Sequence, residues 1–352
     1  MQNSLVKYLL FIALSIQTLA LSEYAASFDT VNSTKCSTKI PTNWQISQFA
    51  KPYLTTKLDE AYSLLVKNYV YDGLKSKEDF KDKILAASKC QSKSCKLKEL
   101  FESDELIEKS IFLLFKYGLN TSPYANKDAA LLDLEQMDAI IKGVNLLPLH
   151  LPKLWSSKRL VRHIKEDIGY GTHGMIFANA SIELYAPWDR ELDEDGKAYS
   201  LFHELGHNLA YFYNLNYSSF WWDMSGWIDH PMGWRYNRNE MVSLYGQTNP
   251  SEDAAESIAA YRLNPSHLKK VSPKKYAFIR DYIFLGQEYL TSSSCSNTPV
   301  KSYLEKLISK ANKSCKSNDC VITSIKSQIK SDNRYPLFLK AKDDFFKAFL
   351  TR

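Results

Sequence analysis

His203-Glu204-Leu205-Gly206-His207 lies inside a run, Asp193 to Tyr213, whose apolar residues fall at helical spacing. Ala198, Leu201, Phe202, Leu205, Leu209 and Phe212 keep that period, which predicts an amphipathic helix. Asp193, Glu194 and Asp195 put negative charge ahead of it, and Gly196 reads as its opening residue. Residues four apart share a helix face, so both imidazoles reach one ion. His-Glu-x-x-His in this setting carries a defined chemistry. Two neutral histidines and a carboxylate hold zinc and leave one position for water. The glutamate beside the first histidine is the general base on that water. The plain alternative is a core helix with two satisfied histidines and an exposed glutamate.

The third ligand is not an extension of the same motif. Six residues after His207 stands Tyr213, not a histidine, and Ala210 occupies the place where such an extension wants glycine. The best candidate segment is Asn249-Pro250-Ser251-Glu252-Asp253-Ala254-Ala255-Glu256. Asn249 suits an N-cap and Pro250 the first helical position. Glu252 and Glu256 then lie one turn apart on a common face. One carboxylate binds the metal, and the other accepts a hydrogen bond from a ligand histidine, fixing its tautomer. Two alternatives stay open: Glu252 as the capping-box partner of Asn249, and Glu256 as the ligand.

With Tyr245-Gly246-Gln247-Thr248-Asn249 ahead of this segment, the chain resembles the anthrax lethal factor-like peptidases over roughly residues 150 to 270. These are gluzincins, a broad group that includes the clostridial Pro-Pro endopeptidases. In that family a tyrosine precedes the zinc glutamate by seven residues, and Tyr245 and Glu252 keep the spacing. The resemblance implies His203, His207 and Glu252 as ligands of one zinc ion and Glu204 as catalytic base. It also implies that Tyr245 stabilises the transition state and that Glu256 supports a ligand. No delivery or helper domain of lethal factor is matched, so neither its cell entry nor its substrate carries over.

Gly174 to Tyr185 is rich in β-formers and ends at Pro187, which predicts one strand before the zinc helix. It is either an ordinary sheet strand or an edge that holds substrate through main-chain hydrogen bonds. Between the second histidine and Tyr245 the chain is strongly aromatic: Tyr211, Phe212, Tyr213, Phe220, Trp221, Trp222, Trp227, Trp234 and Tyr236. Most of these are expected in a core, because aromatics dominate core burial. The neighbours Trp221 and Trp222 must face different ways. His230 lies in a loop with no motif around it and is left out of the catalytic set.

Residues 1–22 read as a signal peptide, with Lys7 ahead of an apolar run from Tyr8 to Ala20 that is short for a membrane span. No later stretch reads as membrane-spanning. Six cysteines follow, Cys36, Cys90, Cys95, Cys295, Cys315 and Cys320. An even count in an exported chain suggests disulfides. Proximity pairs Cys90 with Cys95 and Cys315 with Cys320, leaving Cys36 for Cys295. The net charge of +6 over 352 residues is dispersed, with no arginine-rich patch or phosphate-binding loop. Nucleic acid is therefore not an expected partner.

The expected fold class is α+β: a mainly helical, zincin-like catalytic domain with a small β-sheet, flanked by helical regions. Its parts are an N-terminal helical domain (23–147), the catalytic domain (148–290) and a lysine-rich C-terminal helical region (291–352). In the first, stripes such as Ala61, Tyr62, Leu65, Val66 and Met137, Ile140, Ile141 are core candidates, and Gly143 reads as a C-cap. Thr291 to Ser294 reads as a linker. Each flank carries a C-x4-C between lysine-rich helices, an echo that shared composition explains more simply than duplication. Sequons stand at Asn32, Asn120, Asn179, Asn216 and Asn312. The functional expectation is an exported zinc metalloendopeptidase, secreted or periplasmic, acting on protein or peptide. The alternatives are a zinc hydrolase of a cell-wall amide and a catalytically silent binding protein with the zincin fold.

Overall fold

The computed structural model describes residues 40–67, 80–123, 130–148, 158–163, 174–176, 181–213, 215, 219–231, 233–284 and 303–332. The expected signal peptide, Cys36, Cys295, the 291–294 linker and the sequons at Asn32, Asn179 and Asn216 lie outside them. Among the described residues the chain is mostly helical with one small sheet, an α+β arrangement at the coarse level. By contacts it divides into two units, Thr38–Asn208 and Leu209–Arg352.

The first unit begins with α1 (Asn43–Leu54), α2 (Leu58–Tyr62), α3 (Lys81–Ser88), α4 (Lys93–Phe101) and α5 (Asp104–Phe112). Local chemistry starts three of these helices. Thr42 and Gln45 form a capping box on α1, and Ser92 and Ser103 cap α4 and α5 through their hydroxyls. Ala61, Tyr62, Leu65, Val66, Ile107 and Ile111 are buried, as their helical spacing predicts. Strand β1 (Leu119–Asn120) follows, then α6 (Leu134–Val144), β2 (Lys158–Arg162), β3 (Gly174–Ile176), β4 (Ser181–Leu184), α7 (Ala186–Glu191) and α8 (Glu194–Phe212).

The sheet order is β1-β2-β4-β3. The β1-β2 and β2-β4 pairs are parallel, and β3 pairs antiparallel with β4. Two expectations change here. The single strand expected over Gly174 to Tyr185 is a pair of antiparallel strands, β3 and β4. And β1, from the stretch read as purely helical, joins the sheet, because Leu119 and Asn120 register with Lys158 and Arg159. Asn120 is itself buried and its amide donates to the Leu64 carbonyl, so the sequon there is not presented at the surface. Asn312 is exposed.

Helix α8 carries the His-Glu-x-x-His motif and is held from several sides. It opens at Glu194, two residues before Gly196. Asp193 accepts from the Gly196 N–H at 2.8 Å, so the acidic run supplies the cap itself. Lys142 of α6 pairs with Glu194 and Asp195. The Trp188 indole of α7 donates to the Lys197 carbonyl at 3.0 Å, while the Lys197 ammonium reaches Glu135 and Asp189. Gly143 is not a C-cap. It lies inside α6, where a Cβ would meet the Ala198 carbonyl oxygen at 2.9 Å and Leu201 Cδ2 at 3.0 Å. Its missing side chain is what lets α6 rest on α8.

In the second unit, α9 (Ser219–Ser225) precedes the 3-10 turns Arg238–Glu240 and Tyr245–Gln247. Then come α10 (Pro250–Leu263), α11 (Pro265–Val271), α12 (Pro273–Phe278), α13 (Tyr303–Ala311) and α14 (Asn318–Asp332). Tyr213, Trp221 and Trp227 are buried, whereas Tyr211 is exposed. Trp221 packs on Phe278 and its neighbour Trp222 packs on Trp234, the divergence that adjacent helical residues require. Disulfides Cys90–Cys95 and Cys315–Cys320 clip the α3-α4 and α13-α14 turns, with Cα–Cα distances of 5.6 and 5.4 Å. In both turns the second cysteine donates its N–H to a serine cap, Ser92 or Ser317.

Candidate metal centre

The ligand atoms of His203, His207 and Glu252 lie within 4.8 Å of one another. The two imidazoles come from successive turns of α8, with ring centroids 4.8 Å apart and planes at 87°. Glu252 comes from the first turn of α10. Asn249 fixes that turn by accepting from the N–H groups of Ser251 and Glu252 at 2.9 and 3.0 Å, with Pro250 at the first helical position. His203 is buried, while His207 and Glu252 are half-buried.

The donor set fits zinc. Three donors about 2.1 Å from a tetrahedral ion stand roughly 3.4 Å apart, so small side-chain rotations close this group on one ion. Two imidazoles and one carboxylate leave a fourth position, as catalytic rather than structural sites do. A cysteine site is the poorer candidate. Cys90 and Cys95 lie near Glu99, but they are joined to each other and offer no free thiolate.

Glu204 is 6 % exposed, next to the first histidine on α8. Tyr245, by contrast, is 48 % exposed at the head of the 3-10 turn before α10. Glu256 is buried, and Gly246 packs against it, since a Cβ there would stand 3.6 Å from Glu256 Cβ. His230 sits in the turn closed by the Ile228–Arg235 bridge.

Sequence reading missed the group behind Glu252. Asp253 is fully buried and accepts from Lys275 Nζ at 2.6 Å, Ser225 Oγ at 2.7 Å, Trp227 Nε1 at 3.0 Å and Ser257 Oγ at 3.3 Å. Lys275 is equally buried and also donates to the Glu240 carbonyl at 2.7 Å. Burial pushes the Lys275 ammonium below its ordinary pKa, with the Asp253 charge and hydrogen bond pulling the other way. Removing one partner of such a pair costs about 3–5 kcal/mol, because the other charge is stranded. In sequence the only hint was an aspartate one place from a candidate ligand glutamate, which reads equally well as a helix-dipole charge.

No protein-family model, no curated protein and no solved structure matches this chain.

Proposed function

We propose that the protein is an exported zinc-dependent metalloendopeptidase. The observation that carries this reading is the convergence of His203, His207 and Glu252, two helical histidines and a distant glutamate, with Glu204 adjoining the first histidine. Zinc bound there would act as a Lewis acid, bringing the pKa of a water to about 7 and polarising the scissile carbonyl. Glu204 takes up a proton from the attacking water and delivers it to the departing amine nitrogen. Its burial beside the first histidine suits that task, since a dry setting strengthens its electrostatic pull. Tyr245 donates its phenolic hydrogen to the developing oxyanion. Glu256 accepts from the second ring N–H of a ligand histidine and holds the ring in its binding tautomer.

Strand β3, an edge among the described residues, adds support for an extended substrate, because an edge offers main-chain N–H and C=O groups to a peptide. Export is supported by two disulfides, which form in oxidising compartments. Among the described residues no helix is long and apolar enough to cross a membrane.

The test is cleavage of a diverse peptide library by zinc-loaded protein, beside Glu204→Ala. The expected result is equal zinc in both and cuts by the wild type alone. The variant's rate should fall by about 10²–10⁴-fold, the usual contribution of a general base. Zinc uptake without cleavage by either protein would favour the cell-wall amide or the silent binding role. Absence of zinc in both would refute the site.

A further inference from the structure

We propose that Asp253 and Lys275 are positioning residues for the metal centre, an inference that rests on the zinc reading of His203, His207 and Glu252. The reasoning starts from what the buried carboxylate joins. Asp253 directly follows Glu252 in the first turn of α10. Its donors come from the end of α9 (Ser225), the loop after it (Trp227), α12 (Lys275) and α10 itself (Ser257). Lys275 extends the network to the Glu240 carbonyl, and the Glu240 carboxylate accepts from Ser272. Glu240 closes the 3-10 turn that leads through Met241 toward Tyr245. One carboxylate thus ties together the turn bearing Glu252 and the backbone that delivers Tyr245.

Geometry gives this tie a consequence at the metal. A carboxylate about 6 Å from a helix axis moves roughly 1 Å when the helix rotates by about 10°. Metal–ligand distances tolerate only about 0.2 Å. The Asn249 cap restrains the backbone of this turn at its start, and Asp253 restrains its rotation from inside the core. Apolar packing would serve stability alone at least as well, since a buried ion pair is a weak stabiliser next to apolar residues of the same volume. What the pair adds is a fixed direction, because each of its hydrogen bonds has a preferred geometry.

The experiment measures zinc affinity by competition with a chromogenic chelator, well below the unfolding midpoint. It compares the wild type, Asp253→Asn, Trp227→Phe and a core variant of the first unit, Ile111→Ala. Trp227→Phe removes one hydrogen bond to Asp253 but keeps the ion pair and an aromatic ring, so it decides the matter if Asp253→Asn does not fold. The expected result is a zinc affinity lowered about tenfold or more in Asp253→Asn, as for other outer partners of metal ligands. Trp227→Phe should show a smaller loss and Ile111→Ala none. At saturating zinc, kcat should fall in the Asp253 and Trp227 variants while KM holds. Zinc affinity equal to the wild type, with only a lowered unfolding midpoint, would overturn the inference and leave the pair a structural element. A wild type that takes up no zinc would sink the metal reading first, by a separate readout, and this inference with it.

Discussion

Replacing Gly143 by alanine probes the contact that holds the motif-bearing helix in place. Two effects oppose each other. In an unpacked helix, Gly→Ala stabilises by about 1 kcal/mol. Here the new methyl would stand 2.9 Å from the Ala198 carbonyl oxygen, 3.0 Å from Leu201 Cδ2 and 3.3 Å from Leu201 Cβ. Leu201 can turn part of the way aside, but the carbonyl belongs to the α8 backbone and cannot. Relief to ordinary separations of about 3.5 Å requires α6 and α8 to part by about half an ångström. Overpacking costs about 1–3 kcal/mol, and a clash with backbone falls in the upper part of that range, about 2–3 kcal/mol, so steric conflict outweighs propensity and the net loss is about 1–2 kcal/mol. With a response of about 2–4 °C per kcal/mol for a unit of this size, the midpoint falls by roughly 2–8 °C. Urea and thermal unfolding followed by circular dichroism would measure it. A Gly143→Ala protein as stable as the wild type, or more so, would refute the close approach of the two helices.

Acid should weaken the first unit through Asp189. Burial works against its charge, but hydrogen bonds from Gln136 and Arg162 and the Arg162 charge outweigh it and hold the carboxyl below its ordinary pKa. A depressed carboxylate contributes stability above its unfolded pKa and loses it as pH falls through the folded one. The urea midpoint should therefore decline as pH drops below about 4, and Asp189→Asn should flatten that part of the profile; an unchanged slope in the variant would count against the network. Gly118 has φ of 73° as the cap of the π-helical turn Leu113–Tyr117 that continues α5, so Gly118→Ala should destabilise by about 1–2 kcal/mol, measured by the same unfolding assay. Removing either disulfide as a double Cys→Ser variant should cost about 2 kcal/mol, the entropy of a loop with sequence separation 5. Chelation of zinc should lower the unfolding midpoint of the wild type and leave that of His203→Ala/His207→Ala unmoved, because a ligand bound only to the folded state stabilises it.

Periodicity and local chemistry carried much of this protein. The zinc-helix candidate, the Asn249-Pro250 start of α10 and the buried stripes of the N-terminal helices were legible because helix period and capping act over three or four residues. So were the two short cysteine pairs, whose closeness in sequence leaves little choice of partner. The meeting of His203 and His207 on one face follows from the same period. Tertiary packing decided the rest. No local pattern brings Glu252 to the two histidines or gives Gly143 its role against Ala198. Nor does any local pattern put Leu119 and Asn120 into a sheet with β2. The Asp253-Lys275 pair is the clearest case. A charged side chain reads as solvent-facing until the chain closes around it, and only distant donors such as Ser225, Trp227 and Lys275 can make its burial affordable. Contacts local in sequence are set by periodicity and capping, whereas polar groups brought together from distant segments are settled by the packing of the whole unit.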